Sequence, residues 1–512
     1  MTNRTGVAVS GLLVPLAAIA TWQVLESAGL LTYEYLPSPT EVLAAVVELT
    51  RTGELAGDLA YTLGVALVAT AITLPLGGAL GLAIGLVPGV RRYLLASIDF
   101  LRTIPAVALV PVAVLTFGPA PRTELMLAVY AGMWPIVLNT AGGVAGIHPR
   151  QYDVARTLQL SPAARLRKIV VPAVIPAWLV GARLSAVVAL VVAIVTEMMV
   201  SPRGLGGGLV QSLNALAPAR MWAYALVCGV VGMVLNAGLR RAVGLAVPTA
   251  RPHSDVVASA QHIPGPRGLL PIAALLAVWQ LTGSANSLSF PPPGQWLAAL
   301  GRLHGDGLLF AAIGHTLGTY VFGLASAAVI GATAGVAIGA SQRVDRALTP
   351  SIDFLAAVPG AALVPVVVLL LGPTQISGVA VVALVVSWPI LMNAALAMRS
   401  IPAVRLEMSR TLGLSPVQRW GKVIAPSLAP GITLGVWVAS SVALIVTLLV
   451  DIFGTGAGVG RLLVEAQQRF DASLAWGLLL MVGTFGYLTS VLLTWVGRRV
   501  AVPGASPARM PG

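Results

Sequence analysis

The chain has 512 residues, of which 57% are hydrophobic and only 10% charged, where a water-soluble domain carries roughly a quarter charged residues. That balance excludes a soluble globular fold. Its apolar runs of about 20 residues suit membrane-crossing helices and are too continuous for the alternating pattern of a membrane β-barrel. In a soluble protein the net charge of +13 would suggest nucleic acid; here basic residues gather in expected cytoplasmic loops, so membrane lipid is the expected surrounding and no nucleic acid partner is needed.

Cys228 is the single cysteine, which rules out an intrachain disulfide and leaves no thiolate cluster for a metal. His148, His253, His262, His304 and His315 have no metal-ligand spacing and are expected in loops or at interfaces.

The first apolar run ends in Trp22-Gln23 and could pass for a signal peptide. An internal run, Leu269 to Gln280, ends in the same pair, Trp279-Gln280, so the first run is expected to be a retained helix. Leu36-Pro37-Ser38-Pro39 follows, with Thr40 as expected N-cap of a short amphipathic helix over Glu41 to Thr50. The next span carries Gly77, Gly81 and Gly85, and Gly331, Gly335 and Gly339 stand 254 residues later. Glycines four apart share one helix face and let a second backbone approach, which predicts a packing seam.

The third span contains Pro105 and Pro111, echoed by Pro359 and Pro365, and must be kinked or begin late. The fourth holds Trp134, Pro135 and Asn139, echoed by Trp388, Pro389 and Asn393. Two basic islands come next, at 148–172 and 402–426. A fifth span in each half ends at Thr196-Glu197 or at Asp451, glycine-rich loops follow, and a sixth span closes the half.

The register of 254 holds without a gap from about Leu36 to the end of the sixth span. The expected architecture is therefore an all-α integral membrane protein of two tandem six-helix units, about twelve transmembrane helices in all. The expected divisions are a first unit at 1–247, a cytoplasmic linker at 248–268, a second unit at 269–502 and a cytoplasmic tail at 503–512. An even number of helices per unit makes these parallel repeats about a pseudo-twofold axis. With both termini in the cytoplasm, 24 of the 31 basic residues fall on the inner side and seven on the outer, which places both islands inside.

In each island Ser161-Pro162 or Ser415-Pro416 sets a capping hydroxyl before a proline, so a helix should start there. Each island then reads as a short helix, a turn and a second helix leading into the membrane. Glu407, Ser409, Gly413 and the close Val423-Ile424-Ala425-Pro426 resemble the EAA loop of ABC importer permeases. The first island is similar through Asp153, Ala155 and Ile169-Val170-Val171-Pro172, with Gln159 where the glycine is expected. The shared Arg-Thr-Leu-x-Leu-Ser core, the Leu-Pro-Ser-Pro stretch and Thr196-Glu197-Met198 before Gly204-Leu205-Gly206 narrow the resemblance to the nitrate, sulfonate and taurine class of these type I permeases.

The resemblance implies two copies of a cytoplasmic ABC ATPase subunit as partners, with ATP and Mg bound there and no cofactor on this chain. It also implies an extracytoplasmic solute-binding protein that delivers a small solute, an anion such as nitrate, sulfonate or taurine. The family's coupling role carries over to Asp153, Ala155, Leu158, Gln159 and Leu160, and to Glu407, Ser409, Leu412, Gly413 and Leu414. The chain has no phosphate-binding loop of its own, since Gly421-Lys422 is followed by Val423 and lacks the upstream glycine. It is expected to be no enzyme itself.

Candidates for the substrate path are Trp134, Asn139, Thr196, Glu197, Trp388, Asn393 and Asp451, because polar groups in spans commonly line a cavity. Helix packing is an equal reading for the tryptophans and asparagines. For Glu197 and Asp451 the favoured reading is anchorage of the glycine-rich outer loops through Arg203 and Arg461. The competing function is an ion-coupled secondary transporter of two parallel six-helix repeats, disfavoured because the middle of the membrane holds almost no ionisable groups.

Overall fold

Ten helices of the first half recur, in the same order, in the second. A computed structural model describes residues 4–31, 33–246, 266–284 and 286–500. The expected tail and most of the expected linker lie outside the described residues. The first ten helices are α1 (Arg4–Ser27), α2 (Pro39–Arg51), α3 (Glu54–Leu86), α4 (Pro88–Thr103), α5 (Ala106–Phe117), α6 (Pro121–Ala145), α7 (Pro149–Thr157), α8 (Pro162–Val200), α9 (Gly204–Asn214) and α10 (Pro218–Ala246). Their counterparts are α11 (Leu270–Thr282), α12 (Pro293–Gly305), α13 (Leu308–Ala340), α14 (Gln342–Ala357), α15 (Gly360–Leu371), α16 (Gln375–Arg399), α17 (Ala403–Thr411), α18 (Pro416–Thr455), α19 (Val459–Gln468) and α20 (Ala472–Val500). Both ends of α3 and of α13 differ by 254, as do both ends of α7 and of α17.

Proline sets many of the starts. Pro39, Pro88, Pro121, Pro149, Pro162 and Pro218 each open a helix, where the missing N–H costs nothing and the fixed φ suits the first turn. That rule moves the cap of α2 from Thr40 to Ser38. With Pro39 at the first helical position, Ser38 Oγ accepts from Glu41 N at 3.2 Å and the Glu41 carboxylate accepts from Ser38 N at 2.8 Å, a reciprocal capping box.

Among the described residues eight helices, α3, α6, α8, α10, α13, α16, α18 and α20, are long and apolar enough to cross a bilayer. The third span of the first half is two helices, α4 and α5, meeting at 88° around Ile104-Pro105; this is the kink that its prolines predict. Of the remaining helices, α11 has 13 residues and α15 has 12. α8 and α18 each pass through one π-helical turn soon after they begin, at Leu166–Val170 and Trp420–Ile424, and continue as helix to the far side.

Contacts divide the described residues into two compact units. One is drawn from stretches within Met1–Val42, Gly307–Leu462 and Phe485–Gly512, the other from stretches within Leu43–Asp306 and Leu463–Thr484. Each unit thus takes its leading helix from the other half of the sequence. In the first, α1 packs along α14. In the second, the 3-10 turn Pro266–Leu269 and α11 pack on α4, where Ser97 Oγ donates to Gly268 O at 2.6 Å.

Within each unit the glycine seam forms as expected. A Cβ on Gly81 would lie 2.6 Å from Thr140 Cβ and one on Gly85 2.5 Å from Val144 Cβ, both on α6. On α13, the same probe at Gly335 meets Leu391 O at 2.4 Å and at Gly339 meets Met398 Cβ at 2.7 Å, both on α16. Without hydrophobic drive between helices in lipid, this close backbone approach supplies the dispersion contact that holds them.

Candidate functional site

Each island folds as a helix, a left-handed turn and a capped second helix. In the first, α7 ends with Leu160 N donating to Ala155 O at 3.0 Å and Gln159 N to Arg156 O at 2.9 Å. In the second, α17 ends with Leu414 N donating to Ser409 O at 3.1 Å and Gly413 N to Arg410 O at 2.9 Å. This is the paired bonding of a Schellman close, whose hinge residue must be left-handed. The hinge is Gln159 at φ 47° in one copy and Gly413 at φ 65° in the other.

Past the turn, Ser161 Oγ accepts from Ala164 N at 3.3 Å. Ser415 forms a full capping box, its Oγ accepting from Gln418 N at 3.2 Å and the Gln418 side chain accepting from Ser415 N at 3.1 Å. Ala155 and Ser409 point inward and are buried. The outer side of each loop is apolar and uncovered: Leu158 is 64% and Leu412 71% exposed, with Val154 and Met408 beside them. Asp153 and Glu407 are exposed, and Asp153 sits 3.4 Å from Arg156. Leu160 and Leu414 are half-buried. A cluster of Val144, Ile147, Val170 and Val174, with Tyr152 and Trp178 against it, ties the base of the first loop to α6 and α8.

At the outer end, Glu197 and Asp451 are fully buried. Glu197 Oε2 accepts from Thr62 Oγ1 at 2.9 Å and from Gly206 N at 3.0 Å, while Thr62 Oγ1 accepts from Leu205 N at 2.9 Å. Asp58 Oδ1 accepts from Gly204 N at 2.9 Å. Three donors at the start of α9, which no intrahelical acceptor can satisfy, are met in this way by α3 and α8. In the other unit, Asp451 Oδ2 accepts from Thr316 Oγ1 at 2.7 Å and from Gly460 N at 3.3 Å, and Thr316 Oγ1 accepts from Val459 N at 2.9 Å. The acidic pair therefore does anchor the glycine-rich outer segments. The anchors are hydroxyl and backbone N–H groups, however, and not Arg203 and Arg461. A buried carboxylate oxygen needs several convergent donors, which a helix N-terminus and a threonine supply without a second charge.

The two anchors differ in their neighbours. Asp58 is replaced by Ala312 and Tyr61 by His315. Tyr61 Oη donates to Glu124 Oε2 at 2.9 Å, whereas His315 Nδ1 lies 3.4 Å from Asp451 Oδ1. His315 is thus the eighth residue of a membrane helix, beside a buried carboxylate, and not in a loop, the first of the two places expected for it. Thr62, Thr316 and Asp58 were not singled out in the sequence, and His315 was named only with the other histidines. The one signal for them is that Thr62 and Thr316 stand 254 apart, as Glu197 and Asp451 do.

The other path candidates fold onto their own helices or into packing clusters. Asn139 Nδ2 donates to Pro135 O and Asn393 Nδ2 to Pro389 O, both at 2.8 Å, and Thr196 Oγ1 donates to Val192 O at 2.7 Å. Trp134 packs with Ile84, Ile98 and Val137 and meets Tyr130 edge-on at 5.4 Å. Trp388 packs against Ile338, Ile352 and Leu391. Among the described residues no group of three or more His, Cys, Asp or Glu could hold a metal ion.

The sequence pattern of one family, the binding-protein-dependent transport system inner membrane component, matches twice, over residues 74–252 and 327–502. SsuC of Bacillus subtilis (strain 168), named for aliphatic sulfonates transport, is 30% identical over 236 residues, which are 45% of this chain and 84% of SsuC. The bicarbonate transport system permease protein CmpB of Synechocystis sp. is 27% identical over 246 residues, 46% of this chain and 87% of CmpB. The nitrate import permease protein NrtB of Synechococcus elongatus is 28% identical over 207 residues, 38% of this chain and 74% of NrtB. A relative that is nearly covered by less than half of this chain corresponds to one repeat of it. With two family matches in register with the duplicated helices, the chain belongs to the inner-membrane permeases of binding-protein-dependent ABC importers and carries two such units in tandem.

Proposed function

We propose that this chain supplies both membrane halves of an ATP-driven importer for a small oxyanion. In this reading a cytoplasmic ATPase sits on each of the two islands, with ATP and Mg bound at the ATPase, and an extracytoplasmic binding protein delivers the solute. Both termini and both islands face the cytoplasm. The observation that carries the reading is the pair of matched loops, each presenting an uncovered leucine, Leu158 or Leu412, at the end of a rigidly closed short helix. An exposed apolar tip on a polar loop suits seating in a partner's groove, and a helix running from that loop across the membrane suits transmission of the partner's movement. Oxyanions are the class named for the relatives: sulfonates, bicarbonate and nitrate.

Cysteine cross-linking tests the seat directly, because the one native cysteine, Cys228, is fully buried. Leu158→Cys and Leu412→Cys, each introduced alone, are expected to cross-link to the co-expressed ATPase. Cross-links from an outer position such as Leu216→Cys but from neither island would contradict the reading.

A further inference from the structure

Among the described residues, three that are not glycine hold a positive φ: Gln159, Leu216 and Phe470. The last two stand 254 apart, in the turns that join α9 to α10 and α19 to α20. Leu216 N donates to Leu213 O and Ala217 N to Ser212 O, both at 3.0 Å; Phe470 N donates to Gln467 O at 3.1 Å and Asp471 N to Ala466 O at 2.8 Å. Each is a Schellman close, with its hinge at φ 52° or φ 56°. Asp471 then caps α20, its Oδ1 accepting from Leu474 N at 2.9 Å, so the backbone at Phe470 is fixed on both sides.

A left-handed leucine or phenylalanine costs about 1–2 kcal/mol, and glycine would make the same turn without that cost. Burial does not offset it: Leu216 is 66% and Phe470 78% exposed. A single exposed apolar residue is ordinary. One that is also strained, at the same turn of both repeats, points to a contact outside the chain.

Arg240 lies 22 residues beyond Pro218 on α10, and Arg499 27 residues beyond Ala472 on α20, about 33 Å and about 40 Å along each helix. Those lengths cross a hydrocarbon core of about 30 Å, so arginines on the inner side put both turns on the outer side. Transport in this family depends on a binding protein, which is the partner that the outer side must meet. The neighbours suit a protein and not lipid: Asn214 near Leu216, and Gln468 and Arg469 near Phe470, are exposed and give each apolar tip the polar rim of a protein interface.

We propose that Leu216 and Phe470 are the two tips on which the binding protein seats, and that their unlike side chains fix which way round it docks. A turn locked before the encounter loses little freedom on binding. A leucine in one repeat and a phenylalanine in the other break the likeness that would allow two docked orientations. This docking rests on the importer reading above and names its outer contact residues.

The test titrates the binding protein against nanodiscs that hold the chain with its ATPase, and follows the complex by interferometry. Leu216→Ala and Phe470→Ala are expected to weaken binding roughly fivefold and roughly tenfold. Leu216→Gly and Phe470→Gly should weaken it similarly while raising the thermal midpoint, because the strain is relieved; a residue with a structural role alone would not lose binding as it gained stability. The exchange Leu216→Phe with Phe470→Leu keeps both tips apolar and is expected to weaken binding as well, and wild-type affinity in it would overturn the orienting role. Unchanged affinity in both alanine variants overturns the tips and leaves the importer reading standing, whereas a wild type that does not bind overturns both. A bimane label on Phe470→Cys, selective because Cys228 is buried, should shift its emission when the binding protein is added. Quenching by brominated phosphatidylcholine with no response to the binding protein would assign the tip to lipid and overturn the docking.

Discussion

Gln159 holds a side chain in a left-handed backbone conformation that its counterpart Gly413 reaches freely. Such a residue costs about 1–2 kcal/mol relative to the right-handed region, yet the turn keeps both of its closing hydrogen bonds. A Cβ on Gly413 would meet nothing within 4 Å, so a substitution there is limited by backbone conformation alone. Gln159→Gly is accordingly expected to slow hydrogen exchange at the Leu160 amide roughly fivefold, about 1 kcal/mol of added local stability, and Gly413→Gln to speed exchange at Leu414 by a similar factor. No change at either amide would mean that the turn is not limited by its hinge. Coupling should instead be sensitive to the uncovered apolar tip. Leu412→Glu is expected to leave the chain folded in the membrane while ATP hydrolysis proceeds with little uptake, and coupled transport at wild-type rate in that variant would remove Leu412 from the seat.

Helix pairing depends on which face a glycine occupies. Gly335 and Gly314 both lie on α13, but a Cβ on Gly335 would be 2.4 Å from Leu391 O whereas one on Gly314 meets nothing within 4 Å. Gly335→Leu is therefore expected to abolish folded yield, an overpacking cost of about 3 kcal/mol or more, and Gly314→Leu to be tolerated; similar yields from both, measured by size-exclusion profile, would argue against the seam. The outer anchors make a second prediction at this scale. In Glu197→Gln the amide oxygen can still accept from Thr62 and Gly206, so folding should survive. Glu197→Ala strands a buried hydroxyl and a buried N–H, at about 1–3 kcal/mol each, and should lower the thermal midpoint markedly. A midpoint for Glu197→Ala equal to that of the wild type would show that the α9 terminus is held by other means.

For the molecule as a whole, the internal repeat made most of the fold legible. The gap-free register from Leu36 onward predicted the seam at Gly81 and Gly335, the proline kink before α5 and the helix starts at Pro162 and Pro416, because each depends on neighbours close in sequence or on one helix face. The exchange of α1 and α11 between halves was not legible, since an apolar helix carries no mark of which surface it will cover. The threonine anchors were missed for a related reason: Thr62 meets Glu197 across 135 residues, and a lone hydroxyl in a span is unremarkable until its acceptor is beside it. The partner of His315 was not legible either, because a histidine in an apolar run reads as interfacial whether or not a carboxylate such as Asp451 lies beside it. From the exchange we predict that a chain cut within residues 247–265 yields two fragments that co-purify when expressed together. Fragments that separate in mild detergent would contradict the packing of α1 on α14 and of α11 on α4.

The most direct test of ATP-driven import is uptake of labelled nitrate or methanesulfonate into proteoliposomes containing the chain, its ATPase and its binding protein. Uptake is expected to require ATP and the binding protein, to persist when a protonophore collapses the proton gradient, and to fall to background in the double variant Leu158→Glu, Leu412→Glu. Uptake driven by an ion gradient through the chain alone, undiminished in that variant, would contradict the account.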